Sequence, residues 1–270
     1  MAILKSKLRR RLALGAVLAI PAAMLAAPVL ATHSWGGYHW ARTTSAQLAV
    51  PVYDNVNSVW QSAFDTAVSD WNASAVIQSP IAAGTLNPKT CRAQAGTIQV
   101  CNSTYGRTGW LGIASISLSG GHISQGTTKL NDTYFNSPPY NTPAWRAVVT
   151  CQEIGHDYGL DHQDENFDNA DLGTCMDYSN NPLPNQHPNA HDYSMLQDIY
   201  NHLDAAAAVP SGPGNSGSAA DVGDTPGSWG RAIHFLADGR PDVFERQDGP
   251  GRKTITHVFW AFGEGPGSSQ

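Results

Sequence analysis

Residues 152–162 read Gln-Glu-Ile-Gly-His-Asp-Tyr-Gly-Leu-Asp-His, and their spacing decides how the chain around them folds. Gln152 and His156 are one helical turn apart, so on a helix both side chains point into the same space. Glu153 sits one residue further round and can lean over a water molecule held between them. Gly159 permits the left-handed conformation that ends a helix, and the chain then brings His162 back toward the pair. The stretch therefore predicts three ligands on one side of a metal ion, with the other side open to water and substrate.

The same stretch resembles the metzincin signature H-E-x-x-H-x-x-G-x-x-H at every defined position except the first. Residues 175–178, Cys-Met-Asp-Tyr, resemble the Met-turn of that family. The resemblance covers roughly residues 32–204. It implies an α/β (α+β) fold, a metzincin-like zincin domain with a twisted, mostly parallel sheet, an active-site helix, a Met-turn and a C-terminal helix.

The resemblance also implies a secreted zinc endopeptidase that acts on protein or peptide substrates. Bound Zn²⁺ would acidify a water molecule, and Glu153 would take its proton and later deliver it to the leaving amine. Met176 would form an apolar floor under the metal. Tyr178 would stabilise the oxyanion through its hydroxyl, although a purely structural role in the turn is an equal alternative.

The departure from the signature is Gln152, which stands where the family has its first zinc-binding histidine. An amide oxygen is a harder and weaker zinc ligand than an imidazole nitrogen. Three outcomes are open. Gln152 ligates the metal through its oxygen together with His156 and His162, the site is metal-free, or another histidine supplies the missing bond. The candidates for that bond are His122, His187 and His191.

Two residues of the motif favour different classes of function. Glu153 favours an enzyme, because an inactive site has no need of a general base at that position. Gln152 favours the alternative, a catalytically inactive peptidase-like binding module that keeps the cleft for recognition. An amide hydrolase acting on small molecules or cell-wall material with the same metal site is a third interpretation.

The chain has four cysteines, an even number that favours disulfides in an exported protein. Three pairings are open in principle. We favour Cys91–Cys101, which closes a short loop, and Cys151–Cys175. In the metzincin-like arrangement Cys151 precedes Gln152 on the active-site helix, and Cys175 lies in the turn beneath it.

Residues 1–31 combine a basic start with an apolar, alanine-rich run and small residues before position 32. This pattern predicts a cleaved signal peptide and a secreted protein without stable membrane insertion after cleavage. The whole chain has a net charge of −6, and removal of the basic leader makes the mature chain more acidic. An acidic chain repels phosphate backbones, so no nucleic-acid partner is expected.

The remaining sequence suggests a division into segments. Helical periodicity predicts helices over 56–71, from 143 to about 156 with Thr142 as its N-cap, and from about 192. Strands are predicted over 97–100, 110–118 and 126–130, with two short strand-like runs over 232–236 and 255–262. Residues 205–228 have the composition of a flexible linker, and residues 229–270 form a small β-rich C-terminal segment. Residues 164–169 begin like a Ca²⁺ loop. They lack its glycine, and Cys175 occupies the place of its last acid, so a solvated acidic loop is favoured.

Overall fold

The computed structural model describes residues 33–205 and 221–267. The predicted signal peptide (1–31) and residues 206–220 of the predicted linker lie outside the described residues. The strands are β1 (His39–Trp40), β2 (Val52–Asn55), β3 (Ile81–Ala83), β4 (Ile98–Ser103), β5 (Trp110–Ser119), β6 (His122–Asn131), β7 (Arg231–Phe235), β8 (Pro241–Gly249) and β9 (Arg252–Trp260). The helices are α1 (Gln61–Asn72), α2 (Asp132–Phe135), α3 (Pro143–Asp157), α4 (Ala190–Ile199) and α5 (Pro226–Trp229).

All nine strands belong to one sheet, whose order is β3-β2-β4-β6-β5-β9-β8-β7, with β1 paired to β6. The pairs among β1, β2, β3, β4 and β6 are parallel. The pairs that involve β5, β7, β8 and β9 are antiparallel. The fold is mixed α/β, and the expectation of a mostly parallel sheet is wrong. Short turns at 120–121 and 250–251 produce the antiparallel pairs β5–β6 and β8–β9, and β9 then pairs antiparallel with the distant β5.

The C-terminal residues extend this sheet. Strand β9 pairs along the whole length of β5, from Trp110 opposite Trp260 to Ser119 opposite Arg252. The end of the linker is also packed, because the buried Lys129 ammonium contacts the carboxylates of Asp221 and Asp224 at 2.8 and 3.0 Å. The β-rich segment thus shares the core of the preceding residues, with Trp229 and Val258 fully buried.

Helix α3 runs across the sheet and is buried over almost its entire length. It begins as its sequence predicts, with the Thr142 side chain accepting a hydrogen bond from the backbone N–H of Trp145 at 3.2 Å. It ends before Gly159, whose φ of +93° and contact with the Tyr38 carbonyl leave no room for a side chain. The predicted helix over 56–71 is shorter than expected and begins at Gln61.

Two disulfides brace the fold, Cys91–Cys101 and Cys151–Cys175. They are the pairings favoured from the sequence. None of the helices within residues 33–205 and 221–267 combines the length and the apolar character needed to cross a bilayer.

Candidate metal centre

Three histidines, which together form the histidine triad, meet where α3 and the loop after it pack on strand β9. His156 comes from the last turn of α3, His162 from the loop that follows it and His257 from the middle of β9. One ring nitrogen of each lies within 4.8 Å of the others, a spacing at which the three could hold a metal ion. The sequence motif brings the first two together, and β9 supplies the third.

His156 and His257 each have one nitrogen engaged by a hydrogen bond and one left without a partner, while neither nitrogen of His162 has a hydrogen-bond partner among the described residues. His156 Nδ1 donates to the Leu160 carbonyl at 2.8 Å, and His162 Nδ1 faces the Glu165 carboxylate at 3.5 Å. His257 Nε2 lies 3.1 Å from the Tyr178 hydroxyl. The other nitrogens, Nε2 of His156, Nε2 of His162 and Nδ1 of His257, are buried and have no hydrogen-bond partner among the described residues. Orientation of one nitrogen by an oxygen while the other stays free is the usual arrangement of metal-ligating histidines.

The surroundings keep two of these imidazoles, those of His156 and His257, in the neutral form that a metal requires. His156 and His257 are fully buried, and His162 is 6% exposed. Burial and the neighbouring His162 hold the pKa of His156 well below its usual value. Burial, His156 and His162 do the same to the pKa of His257. The buried nitrogens without partners and the imidazole donor set both fit a bound transition metal.

Glu153 lies against this triad, with Oε2 3.7 Å from Nδ1 of His257. Its carboxylate is fully buried, and neither oxygen has a hydrogen-bond partner among the residues described. Burial and the nearby Asp157 raise the pKa of Glu153 well above its usual value. The side chain fits because β5 has Gly112 opposite it, where a Cβ would come within 2.7 Å of Oε1.

Gln152 and the three histidines considered as its replacement in metal binding lie at different places in the structure. Gln152 is fully buried and donates from Nε2 to the Cys175 carbonyl at 2.9 Å, while its Oε1 has no partner among the described residues. None of the three candidate histidines in residues 122–191 joins the triad. His122 contacts Asp204, His187 contacts Asp70, and the His191 ring packs on His33.

Sequence reasoning missed His257 because it lies in the C-terminal segment, which the metzincin motif does not include. A signal was nevertheless present. Ile255, His257 and Phe259 alternate along one face of a predicted strand, so the strand pattern itself places a histidine among core residues. A fully buried histidine on such a face has to be satisfied by a partner or a ligand.

The remaining motif residues lie around the triad. Met176 passes under α3, since a Cβ on Gly155 would come within 2.7 Å of its sulfur. The Tyr178 ring packs on that of His162 at 4.1 Å between centroids and on Phe167 at 4.8 Å. In the acidic loop at residues 164–169, both carboxylate oxygens of Asp164 accept hydrogen bonds from the same loop, one from Asn166 and one from Asn169.

The N-terminal segment covers the triad. The Trp35 ring is tilted over His156 and meets His257 edge-on, at centroid distances of 5.4 and 6.0 Å. Its backbone N–H donates to the Gly159 carbonyl at 2.8 Å, and the His33 carbonyl accepts from the N–H of Asp161 at 2.7 Å. These bonds fasten residues 33–35 along the loop that carries His162.

An aromatic cavity of about 700 Å³ is lined in part by Phe167 and Phe259, the two phenylalanines on which the Tyr178 ring packs. Its lining includes Tyr140, Trp145, Phe167, Phe259 and Arg240, and Glu165 stands at the boundary with the triad. A cavity of this size and lining accommodates one or two large apolar side chains with a polar group at the rim.

No family model matches the sequence, and no curated protein matches it either.

Proposed function

We propose that the protein is a zinc-dependent endopeptidase that acts outside the cell on protein or peptide substrates. The observation that carries this proposal is the meeting of His156, His162 and His257 beside the carboxylate of Glu153. Three neutral imidazoles form a known ligand set of catalytic zinc, which keeps a fourth position for water. The resemblance of residues 152–162 to the metzincin signature supports the same chemistry, and the two disulfides suit an oxidising compartment.

In this proposal the residues divide the work between them. Zinc held by the three histidines supplies Lewis acidity toward water and toward the scissile carbonyl. Glu153 holds and moves the proton, taking it from the attacking water and giving it to the leaving amine. Its raised pKa suits this task, because a carboxyl group with a pKa closer to neutral gives and accepts a proton with similar ease. Tyr178 acts by holding the ring of His257, since its hydroxyl already lies 3.1 Å from Nε2.

Substrate access requires movement of the N-terminal segment. Trp35 is 4% exposed and lies against two of the three histidines. Displacement of residues 33–35 breaks two backbone hydrogen bonds with the loop at 159–161 and uncovers the triad from that side. The aromatic cavity, which meets the triad at Glu165, would then receive a substrate side chain next to the scissile bond.

The enclosure of the triad favours a second candidate, a catalytically inactive binding module whose metal is structural. Glu153, His156 and His257 are all fully buried. Structural zinc sites are closed, whereas catalytic ones keep a position for substrate. A binding module would hold zinc with the same ligands but would hydrolyse no peptide. An activity assay therefore distinguishes it from the endopeptidase, whereas a measurement of zinc binding does not.

The replacement Glu153→Gln tests the proposal, with Glu264→Gln as a control at an exposed carboxylate. General-base catalysis contributes about 10²- to 10⁴-fold. Hydrolysis of an unfolded protein substrate should fall by at least that factor in Glu153→Gln and stay unchanged in the control. Zinc content should be the same in both variants. If the wild type carries zinc yet cleaves nothing in a broad peptide library, the endopeptidase proposal fails and the binding module replaces it.

A further inference from the structure

A second group of histidines lies at the surface, with no residue in common with the triad. His39 belongs to β1, His122 begins β6, and His202 and Asp204 follow α4. The Nε2 atoms of the three histidines approach one atom, Oδ1 of Asp204, at 3.4, 3.0 and 3.4 Å. The Nε2 atoms of His39 and His202 are 3.2 Å apart.

These distances are those of a tetrahedral metal site. Zinc–nitrogen and zinc–carboxylate bonds of about 2.0–2.1 Å in a tetrahedron separate the ligand atoms by about 3.3 Å. The four measured separations, between 3.0 and 3.4 Å, bracket that value. His39, His122 and Asp204 form a group whose ligand atoms all lie within 4.8 Å of one another, and His202 adds a fourth ligand atom close to those of His39 and Asp204.

The protein also orients the ligand atoms from behind. His39 Nδ1 lies 2.9 Å from the Gly37 carbonyl and donates to it, so that Nε2 is the nitrogen that can offer a lone pair to a metal. The other oxygen of Asp204 accepts a hydrogen bond from the backbone N–H of Arg42 at 2.7 Å. Oδ1 is thereby turned toward the histidines. Such support from behind the ligands is the pattern expected around a metal.

Hydrogen bonds join the cluster, among them one between His122 Nε2 and Oδ1 of Asp204 at 3.0 Å and one between the Nε2 atoms of His202 and His39 at 3.2 Å. A cation at the centre would replace the shared protons and bind the same atoms directly. The side chains of His39, His122 and Asp204 are 15%, 25% and 9% exposed, while His202 is 47% exposed and leaves an entry path from solvent.

We propose that His39, His122, His202 and Asp204 bind a second zinc ion, in a closed structural site. The ion adds a link between the N-terminal segment, the sheet and the chain after α4, which also meet here through the pairing of β1 with β6 and a backbone hydrogen bond from Asp204 to Arg42. Strand β1 follows Trp35 by four residues, so the ion anchors the segment that covers the catalytic triad. The proposal holds whether or not the triad is catalytic.

Metal analysis of the mature protein, dialysed against zinc and then buffer, tests the site by stoichiometry. The wild type should bind two zinc ions per chain. His202→Ala and Asp204→Asn should each bind one tightly held ion, as should His257→Phe, and a variant carrying both His202→Ala and His257→Phe should bind none. The control His187→Ala removes an exposed histidine outside both clusters and should retain two.

Thermal unfolding in the His257→Phe background isolates the second site. Zinc at 100 times its Kd should raise the Tm by about 5–10 °C for a chain of this size, and this rise should vanish on addition of His202→Ala. His202 is half exposed, so its replacement leaves the fold intact. Unchanged zinc stoichiometry in His202→Ala and Asp204→Asn, or a Tm that zinc does not raise, would overturn the proposal and leave a protonated histidine–aspartate network. If His257→Phe loses a zinc ion while His202→Ala and Asp204→Asn do not, the lost ion belongs to the triad, and the second site is refuted.

Discussion

His257 is the residue whose replacement tests most directly how the metal centre is built. His257→Phe keeps a flat ring of similar size in the fully buried position and removes both nitrogens. The packing around β9 is therefore retained, while the metal loses one of its three imidazoles. The Tyr178 hydroxyl also loses its partner at 3.1 Å, which costs about 1–3 kcal/mol of stability for an unsatisfied buried group.

The expected loss of affinity follows from the number of ligands. Structural zinc sites with four protein ligands bind with apparent free energies of about 10–16 kcal/mol, or about 2.5–4 kcal/mol for each ligand. Loss of His257 should therefore weaken zinc binding about 10²- to 10³-fold, since 1.4 kcal/mol is a factor of ten. The proposed activity on a peptide substrate should fall in proportion to the fraction of triads that hold zinc.

Competition with a chromogenic chelator measures this affinity, and circular dichroism checks the fold. The matched control is His187→Ala, a replacement of a histidine that the sequence alone made a candidate ligand and that the structure places against Asp70. Its zinc affinity should equal that of the wild type. A folded His257→Phe variant that binds zinc at both sites as tightly as the wild type would refute the reasoning and return Gln152 to the position of third ligand.

Three further predictions concern the neighbours of the site. Gly112→Ala should destabilise the protein by about 1–3 kcal/mol in urea unfolding and lower the proposed activity, because its Cβ would come within 2.6 Å of Val149 and 2.7 Å of the Glu153 carboxylate, both on α3. Gly227→Ala, whose Cβ meets no atom within 4 Å, should change neither. Gln152→His should tighten zinc binding in the chelator assay, since it places an imidazole one turn before an existing ligand; unchanged or weaker binding would mean that position 152 does not face the metal. Replacing Cys151 and Cys175 together by alanine should cost about 3–4 kcal/mol of unfolding free energy, given the 24-residue separation, and unreduced peptide mapping of the wild type should recover the two as one linked species.

The sequence by itself predicted the features that depend on neighbours along the chain. Helix α3, its Thr142 cap and its end before Gly159 follow from residues within a few positions of one another. The juxtaposition of His156 and His162 is predicted for the same reason, because a helical turn and a glycine turn fix their relative position whatever the rest of the protein does. The pairing of Cys151 with Cys175 needed only the added assumption that the Met-turn passes beneath the helix.

Only the tertiary structure decided which histidine completes the triad and which histidines form the second cluster. His257 is about a hundred residues from His156, and the two meet because β9 pairs with β5. The mixed sheet arises in the same way, since the C-terminal strands could have packed separately as judged from their composition. His39, His122 and Asp204 come together through the pairing of β1 with β6 and the return of the chain after α4. Such contacts depend on strand pairing and register between distant segments, which the alternation of side chains along one strand does not specify.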